Sequence, residues 1–267
     1  MGLSRFVNSN CFPFFIAFTF FILAFLIYSA TGPGFPTPYN YFTWLADAFL
    51  HGRLGLTKAS SIYLGELIPS NGRFYVIYPP MPAILLMPFV AVWGPTFNQT
   101  LGSVLFGSLN VSLFYILMGR LTQDLRIQIW MTLLFGFGTI HWYIASVGSA
   151  WYLAHVVSFL FLTLAIYETF TNRRPFLIGL LLGASYWSRL PTILSLPFFI
   201  IMLSDMWLLK SKEGSILGKI NLKPLIRLGS GVGVFVLVNF TYNFLRFHTP
   251  FDVAYFMSGI DTPSHEP

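Results

Sequence analysis

Two side chains able to exchange a proton stand four residues apart in the stretch YNYFTWLADAFLHGRLGL, residues 39–56. At this spacing Asp47 and His51 face the same side of a helix and can contact each other. A partly buried carboxylate can take a proton from a hydroxyl group, and an imidazole beside it can orient it or share the proton. The spacing therefore predicts a catalytic pair. It also fits the wet face of a helix that lies on a membrane, and this alternative stays open.

A second set of polar side chains lies inside apolar surroundings. Arg189 stands between two apolar segments in SYWSRLP, where a cation is costly without a partner and where its planar guanidinium suits a phosphate. His155 and His141 are further groups able to exchange a proton, and Tyr143 lies close to His141 in the sequence. The alternatives are an arginine that reaches the outer headgroups, histidines that only pack, and an aromatic belt at the interface.

The catalytic pair would be carried by an amphipathic helix over residues 40–53. At 100° per residue, one side carries Phe42, Leu45, Phe49 and Arg53, and the opposite side carries Asn40, Thr43, Asp47 and His51. Downstream, Tyr78 begins the run YPPMP, whose prolines favour an extended segment followed by the first turn of a helix. Tyr78 would then lie at the interface, as an anchor or as part of the site.

The composition is that of an integral membrane protein. Of 267 residues, 55% are hydrophobic and 9% are charged, and the mean hydropathy is +0.70. Apolar runs of helical length are long enough to cross the hydrocarbon core, and their residues do not alternate as in a β-barrel. We therefore predict an all-α, polytopic bundle with spans near 12–30, 99–118, 128–146, 151–170, 175–189, 192–209 and 228–245. The run 12–30 is expected to stay as an uncleaved signal-anchor.

Basic residues orient these seven spans. With the N-terminus in the cytoplasm, ten of the 15 lysines and arginines fall on the inner side: Arg5, Arg120, Arg126, Arg173, Arg174, Lys210, Lys212, Lys219, Lys223 and Arg227. The bias reverses if residues 80–94 also cross, so we predict a short interfacial helix there, in a first outer loop of 31–98. All five histidines then lie at or near the outer face.

Composition also restricts the other function classes. The charge of +6 is dispersed among short loops and does not indicate a nucleic-acid partner. Cys11 is the single cysteine, so no internal disulfide can form, and no cluster has the spacing of metal ligands. We therefore expect no cofactor, although a divalent metal stays open.

The order of these segments resembles the polytopic GT-C glycosyltransferases, which include dolichyl-phosphate-mannose-protein mannosyltransferases and bacterial aminoarabinose and mannosyl transferases. The similarity runs through YFTWLADAFLHGRLGL, YPPMPAILLMPFVAVWG, MGRLTQDLR, LLFGFGTIHWYIASVGSAWYLAHVVSFLFLTLAIYE and GLLLGASYWSRLPTILSLPFF, over residues 12–250. It implies a transmembrane module over 1–250 and an outer-side tail over 251–267. Relatives continue with further spans, so a short or truncated member is one expectation.

The resemblance implies an activity and roles for residues. Such enzymes move a sugar from a polyprenyl-phosphate donor to an acceptor on the outer face of the membrane, here expected to be the bacterial plasma membrane. By this resemblance Asp47 is the acid of the first outer loop. Relatives carry it nearer to the start of the helix, where this chain has Asn40, and Glu66 is the other acid of the loop.

The same resemblance assigns binding residues. It places His141, Tyr143, Trp151 and His155 at the outer turn that faces the donor, and Arg189 at the lipid phosphate. Glu66 is a further candidate for binding. Two other classes stay open: a non-catalytic GT-C-like membrane subunit, and a transporter or lipid-handling protein. Transporters commonly contain internal repeats, and none is evident in this sequence.

Overall fold

Helices form most of this computed structural model, which describes residues 12–33, 36–57, 66–70, 72–209, 219–251 and 254. In chain order the elements are α1 (Phe12–Thr31), α2 (Tyr41–Leu50), β1 (Leu67–Ser70), β2 (Arg73–Val76), α3 (Met81–Trp93), α4 (Gln99–Leu121), α5 (Leu125–Gly138), α6 (Ile140–Val147), α7 (Ala150–Thr169), α8 (Pro175–Tyr186), a 3-10 helix (Leu190–Ser195), α9 (Leu196–Met202), α10 (Ser204–Trp207), β3 (Leu208–Leu209), β4 (Lys219–Ile220) and α11 (Lys223–Phe247). Arg5, Cys11, Lys210, Lys212 and nearly all of the predicted tail 251–267 lie outside the described residues.

Four of these helices are long and apolar enough to cross a membrane, namely α1, α4, α7 and α11. The predicted helical membrane bundle agrees with them, whereas the predicted count of about seven spans is not confirmed. The run 128–146 is divided at Thr139, whose backbone is extended (φ −122°, ψ 174°). Residues 192–209 are divided among the 3-10 helix, α9 and α10, and α8 has only 12 residues.

The first outer loop contains both a predicted and an unpredicted element. A short helix was predicted over 80–94, and α3 occupies Met81–Trp93 with Pro88 inside it. The antiparallel hairpin of β1 and β2, in which Leu67 pairs with Val76, was not predicted. The hairpin leads directly into Ile77 and Tyr78, which are both buried.

Gln99 fastens the first outer loop to the end of the bundle. Its side chain is fully buried. Its amide nitrogen donates to the carbonyl oxygens of Tyr39 at 3.1 Å and Gly148 at 2.9 Å, and its amide oxygen accepts from the Phe42 N–H at 3.0 Å. One side chain therefore joins the start of α2, the start of α4 and the turn between α6 and α7.

The opposite end of the bundle holds several of the basic residues that were predicted to be cytoplasmic. Glu168 accepts from Arg174 Nε at 2.7 Å, and Arg120 donates to the Tyr167 hydroxyl at 3.1 Å. Arg173 pairs with Asp205 by two hydrogen bonds. The bond to this carboxylate raises the pKa of the Arg173 guanidinium above its ordinary value, so its charge is permanent.

Two glycines allow α8 and α11 to pack closely. A Cβ at Gly179 would lie 2.1 Å from the Leu228 carbonyl oxygen, and one at Gly231 would lie 2.3 Å from the Phe176 carbonyl oxygen. Both obstacles are backbone atoms, so no side-chain movement can relieve the clash.

Replacing Gly179 by alanine is therefore expected to push the two helices apart and to lower the free energy of unfolding by about 1–3 kcal/mol. Gly233→Ala is the matched control, because a Cβ there meets nothing within 4 Å. In that partly exposed helical position alanine should be neutral or should stabilise by about 0.5–1 kcal/mol. Thermal unfolding of both purified variants in one detergent measures the difference. Equal shifts would contradict the close packing.

Candidate functional site

Arg189 is the centre of a polar cluster at the end of the bundle that carries the first outer loop. It precedes the 3-10 helix, and its Nη2 lies 2.6 Å from His155 Nε2. A guanidinium can only donate, so this histidine nitrogen accepts and carries no proton. The guanidinium carbon also lies 5.6 Å from the centre of the Trp151 ring. Histidine and tryptophan together orient a cation that the sequence had predicted as the phosphate ligand.

A cavity of about 510 Å³ opens beside this cluster. Glu66, Tyr78, Trp151 and Arg189 are among its lining residues. Glu66 is the only carboxylate among the described residues that line it. The structure thus brings together three of the predicted binding residues, Glu66, Tyr78 and Arg189, and it adds His155 through its contact with Arg189. A carboxylate and a guanidinium facing one cavity can take up a proton and hold an anion.

Asp47 and His51 lie elsewhere in the first outer loop. The predicted contact between them is present, with His51 Nδ1 3.5 Å from Asp47 Oδ1 and 2.8 Å from the Asp47 carbonyl oxygen. Asp47 Oδ2 also lies 3.5 Å from Arg53 Nη2. Neither Asp47 nor His51 is among the described residues that line the cavity of Arg189. The structure therefore does not bring the predicted catalytic pair and Arg189 to one described cavity.

The contact with Arg53 corrects the helix predicted over 40–53. That helix would have placed Arg53 on the side opposite to Asp47. Instead α2 ends at Leu50, Gly52 adopts a left-handed conformation with φ 67°, and the Arg53 N–H returns to the Ala48 carbonyl oxygen at 2.8 Å. Glycine adopts this conformation without strain. The chain therefore reverses, and Arg53 meets the carboxylate from its own helix.

The prediction of one wet side and one apolar side for α2 is also wrong at Thr43, which is fully buried. Asp47 is only partly exposed and His51 is exposed. The neighbouring α3 packs against this helix, and residues 41–46 are buried apart from the partly exposed Trp44, so the polar side is accessible mainly near the C-terminal end.

His141 lies in the packed interior. Only 4% of the residue is exposed, its Nε2 lies 3.1 Å from the Gly107 carbonyl oxygen, and its ring stacks on Phe135 with centres 4.6 Å apart. His141 is not among the described residues of the Arg189 cavity. The contacts are those of the packing alternative.

Tyr143 lies on α6 and is 54% exposed. Its ring meets that of Tyr152 edge-on, with centres 5.5 Å apart. Tyr152 lines a second cavity next to that of Arg189. Tyr143 therefore contacts a residue that lines this second cavity but is not itself among its described lining residues.

The sequence interpretation missed a polar stripe on α11. Asn239, Tyr242, Asn243 and Arg246 follow the i, i+3, i+4, i+7 spacing of one helix side. Only 3% of Arg246 is exposed, and no carboxylate among the described residues pairs with it. It donates to the Val76 carbonyl oxygen at 3.0 Å and to Asn243 Oδ1 at 2.6 Å, and its guanidinium carbon lies 3.8 Å from the centre of the Tyr242 ring. The spacing of these four residues is visible in the sequence and is the signal that could have identified the stripe.

The stripe holds both walls of the Arg189 cavity. Arg246 fixes Val76, which is followed by the lining residues Ile77 and Tyr78. Asn239 Oδ1 accepts from Trp187 Nε1 at 3.2 Å, and Trp187 precedes Arg189 by two residues. The Asn239 and Arg246 side chains therefore position the cavity although they are not among its described lining residues.

Neither a metal-binding group among the described residues nor a known relative identifies further residues of this site. Within the described part of the chain, no group of three or more histidine, cysteine, aspartate or glutamate side chains could hold a metal ion. Comparisons with protein families, with curated proteins and with solved structures give no match.

Proposed function

We propose that this chain is a membrane glycosyltransferase, of the GT-C type that its sequence resembles. It would move a sugar from a polyprenyl-phosphate donor to an acceptor at the outer face of the membrane. The observation that carries the proposal is the single cavity lined by both Glu66 and Arg189. The donor and the membrane lipids are the partners that this proposal implies, and the acceptor is a second substrate.

In this reaction Arg189 stabilises the charge on the departing phosphate. His155 holds the guanidinium in place by accepting its hydrogen bond. The acceptor oxygen forms a bond to the anomeric carbon as the bond from that carbon to the phosphate oxygen breaks. The phosphate leaves with the electron pair, and Glu66 takes the acceptor proton. A phosphate is a weak base, so the leaving group needs no strong general acid.

We further propose seven crossings with the N-terminus in the cytoplasm of a bacterial cell. Helices α5 with α6, α8, and the 3-10 helix with α9 and α10 would make the three crossings that long helices do not. A 12-residue helix spans only about 18 Å of a core of roughly 30 Å. Such short crossings are tolerated where other helices cover the irregular backbone. The ion pairs of Arg173 and Arg174 would then face the cytoplasm.

Two variants test which carboxylate of the first outer loop, Glu66 or Asp47, is the catalytic base. Glu66→Gln is expected to lower sugar transfer by about 10²–10⁴-fold, because it removes the base at the cavity. Asp47→Asn is expected to keep most of the activity, because Asp47 contacts Arg53 and His51 instead. Transfer from a radiolabelled polyprenyl-phosphate sugar, with the full chain in lipid nanodiscs, measures both variants.

The opposite ranking would return the catalytic role to Asp47 and His51, as the sequence alone predicted. Correct insertion of both variants is checked by size-exclusion chromatography and thermal unfolding. A protein that moves the intact donor across the bilayer without cleaving it would overturn the glycosyltransferase proposal in favour of lipid handling. Full transfer by Glu66→Gln and Asp47→Asn together would show that neither acid is the base.

A further inference from the structure

A second cavity of about 420 Å³ adjoins that of Arg189. Glu66 and Trp151 line both cavities. The other lining residues that matter here are Thr37, Tyr39, Ser149 and Tyr152. The two spaces therefore meet at one carboxylate and one indole ring.

The second cavity has its own chemistry. Two aliphatic hydroxyl groups, from Thr37 and Ser149, two phenol rings, from Tyr39 and Tyr152, and the indole ring of Trp151 surround it. Glu66 is the only charged side chain among its described lining residues. Aromatic rings provide apolar contact area, and hydroxyl and carboxylate oxygens provide hydrogen bonds. Such a lining suits a ligand with apolar faces and hydroxyl edges.

The neighbouring charges disfavour an anion in this cavity and weaken the attraction of a cation. The Glu66 carboxylate opposes an anion, which finds its complement at Arg189 in the first cavity. The Trp151 ring already lies beside the Arg189 guanidinium, at 5.6 Å, and that charge opposes a second cation at the same ring. The ligand favoured by both charges is neutral.

We infer that the second cavity binds a neutral, hydroxyl-rich molecule, a sugar or another polyol. The role of this molecule as the acceptor rests on the proposed function, whereas its binding in the cavity does not. Its hydroxyl group would lie beside Glu66 while a donor phosphate lies beside Arg189. Glu66 takes the acceptor proton as the new glycosidic bond forms. The phosphate leaves with the electron pair of the bond that breaks.

Ser149 offers a way to fill the cavity without disturbing the helix. It stands at the start of α7, and its side chain makes no capping hydrogen bond. Ser149→Tyr therefore occupies the cavity at little cost to the fold. Tyr152→Ala removes one aromatic wall instead. Tyr167→Ala is the matched control, because Tyr167 lies at the opposite end of α7 against Arg120.

Binding is tested with the full chain in nanodiscs by saturation-transfer difference NMR. The probes are methyl β-D-glucopyranoside, methyl α-D-mannopyranoside and myo-inositol, with glucose 1-phosphate as the anion and choline as the cation. At least one neutral probe is expected to show transfer, reduced fivefold or more in Ser149→Tyr and in Tyr152→Ala. The Tyr167→Ala variant should keep the signal, whereas glucose 1-phosphate should lose its signal in Arg189→Ala.

The outcomes separate this inference from the proposed function. A neutral-probe signal that Ser149→Tyr does not reduce, no signal from any neutral probe, or stronger transfer to choline would each overturn the inference, even if sugar transfer from the lipid donor is observed. A neutral-probe signal that Ser149→Tyr abolishes supports the inference even if no lipid donor is ever cleaved. In that case only the proposed enzyme activity fails.

Discussion

Arg189→Ala is expected to lower sugar transfer by roughly 100- to 1,000-fold, the largest loss of activity that we expect from a cation in this chain. The guanidinium is the only cation among the described residues that line the cavity with Glu66. A charge that develops on the leaving phosphate would have no other described partner there. The loss should appear mainly in kcat, because the phosphate gains charge in the transition state.

Two further variants make this result specific. Arg189→Lys keeps the charge but has only a point ammonium in place of the planar fork that meets His155 and Trp151. Its activity should therefore lie between those of wild type and Arg189→Ala. Arg126→Ala is the matched control, since Arg126 is exposed at the opposite end of the bundle, and it should keep full activity. A fully active Arg189→Ala protein would remove this residue from the mechanism.

Local geometry could be predicted from the sequence more surely than contacts between distant segments. The spacing of Asp47 and His51 gave their contact correctly, because four residues separate neighbours on one helix side. The contact between Asp47 and Arg53 could not be predicted by continuing the same helix. It depends on where the helix ends, and Gly52 decides that point. The long apolar helices were predictable because length and composition define them, whereas the breaks at Thr139 and around the 3-10 helix depend on packing.

The candidate site was predictable residue by residue but not as an assembly. Arg189 and His155 are 34 residues apart. Arg189 was chosen because a cation in an apolar segment needs a partner, and His155 because the GT-C resemblance places it at the donor. That they are each other's partner follows only from the packing of α7 against α8. Glu66 was named as the second acid of its loop, and only the hairpin of β1 and β2 carries it to the cavity. His141 had the same local signals as His155, yet it turns into the bundle.

Arg246→Met is expected to lower the free energy of unfolding by about 2–4 kcal/mol, the largest loss of stability that we expect from one substitution, because it leaves two buried acceptors without a donor. Methionine replaces much of the buried volume but none of the donors. The Val76 carbonyl oxygen and Asn243 Oδ1 would lose the partners that they have at 3.0 Å and 2.6 Å. Arg227→Met is the matched control, because Arg227 is an exposed arginine of the same helix. That variant should change stability by less than about 0.5 kcal/mol.

A second substitution distinguishes the cost of a buried acceptor without a donor from the loss of a favourable contact. Adding Asn243→Leu to Arg246→Met removes one of the two acceptors left without a donor, so the double variant should be more stable than the sum of the single losses. Thermal and denaturant unfolding of wild type, Arg246→Met, Asn243→Leu and the double variant in one detergent measures this coupling. Additive losses would mean that the arginine and the asparagine act independently. Because Arg246 also fixes the strand before Tyr78, the variants that remain folded should transfer sugar more slowly than Arg227→Met, although the substituted side chain is not among the described lining residues of the cavity.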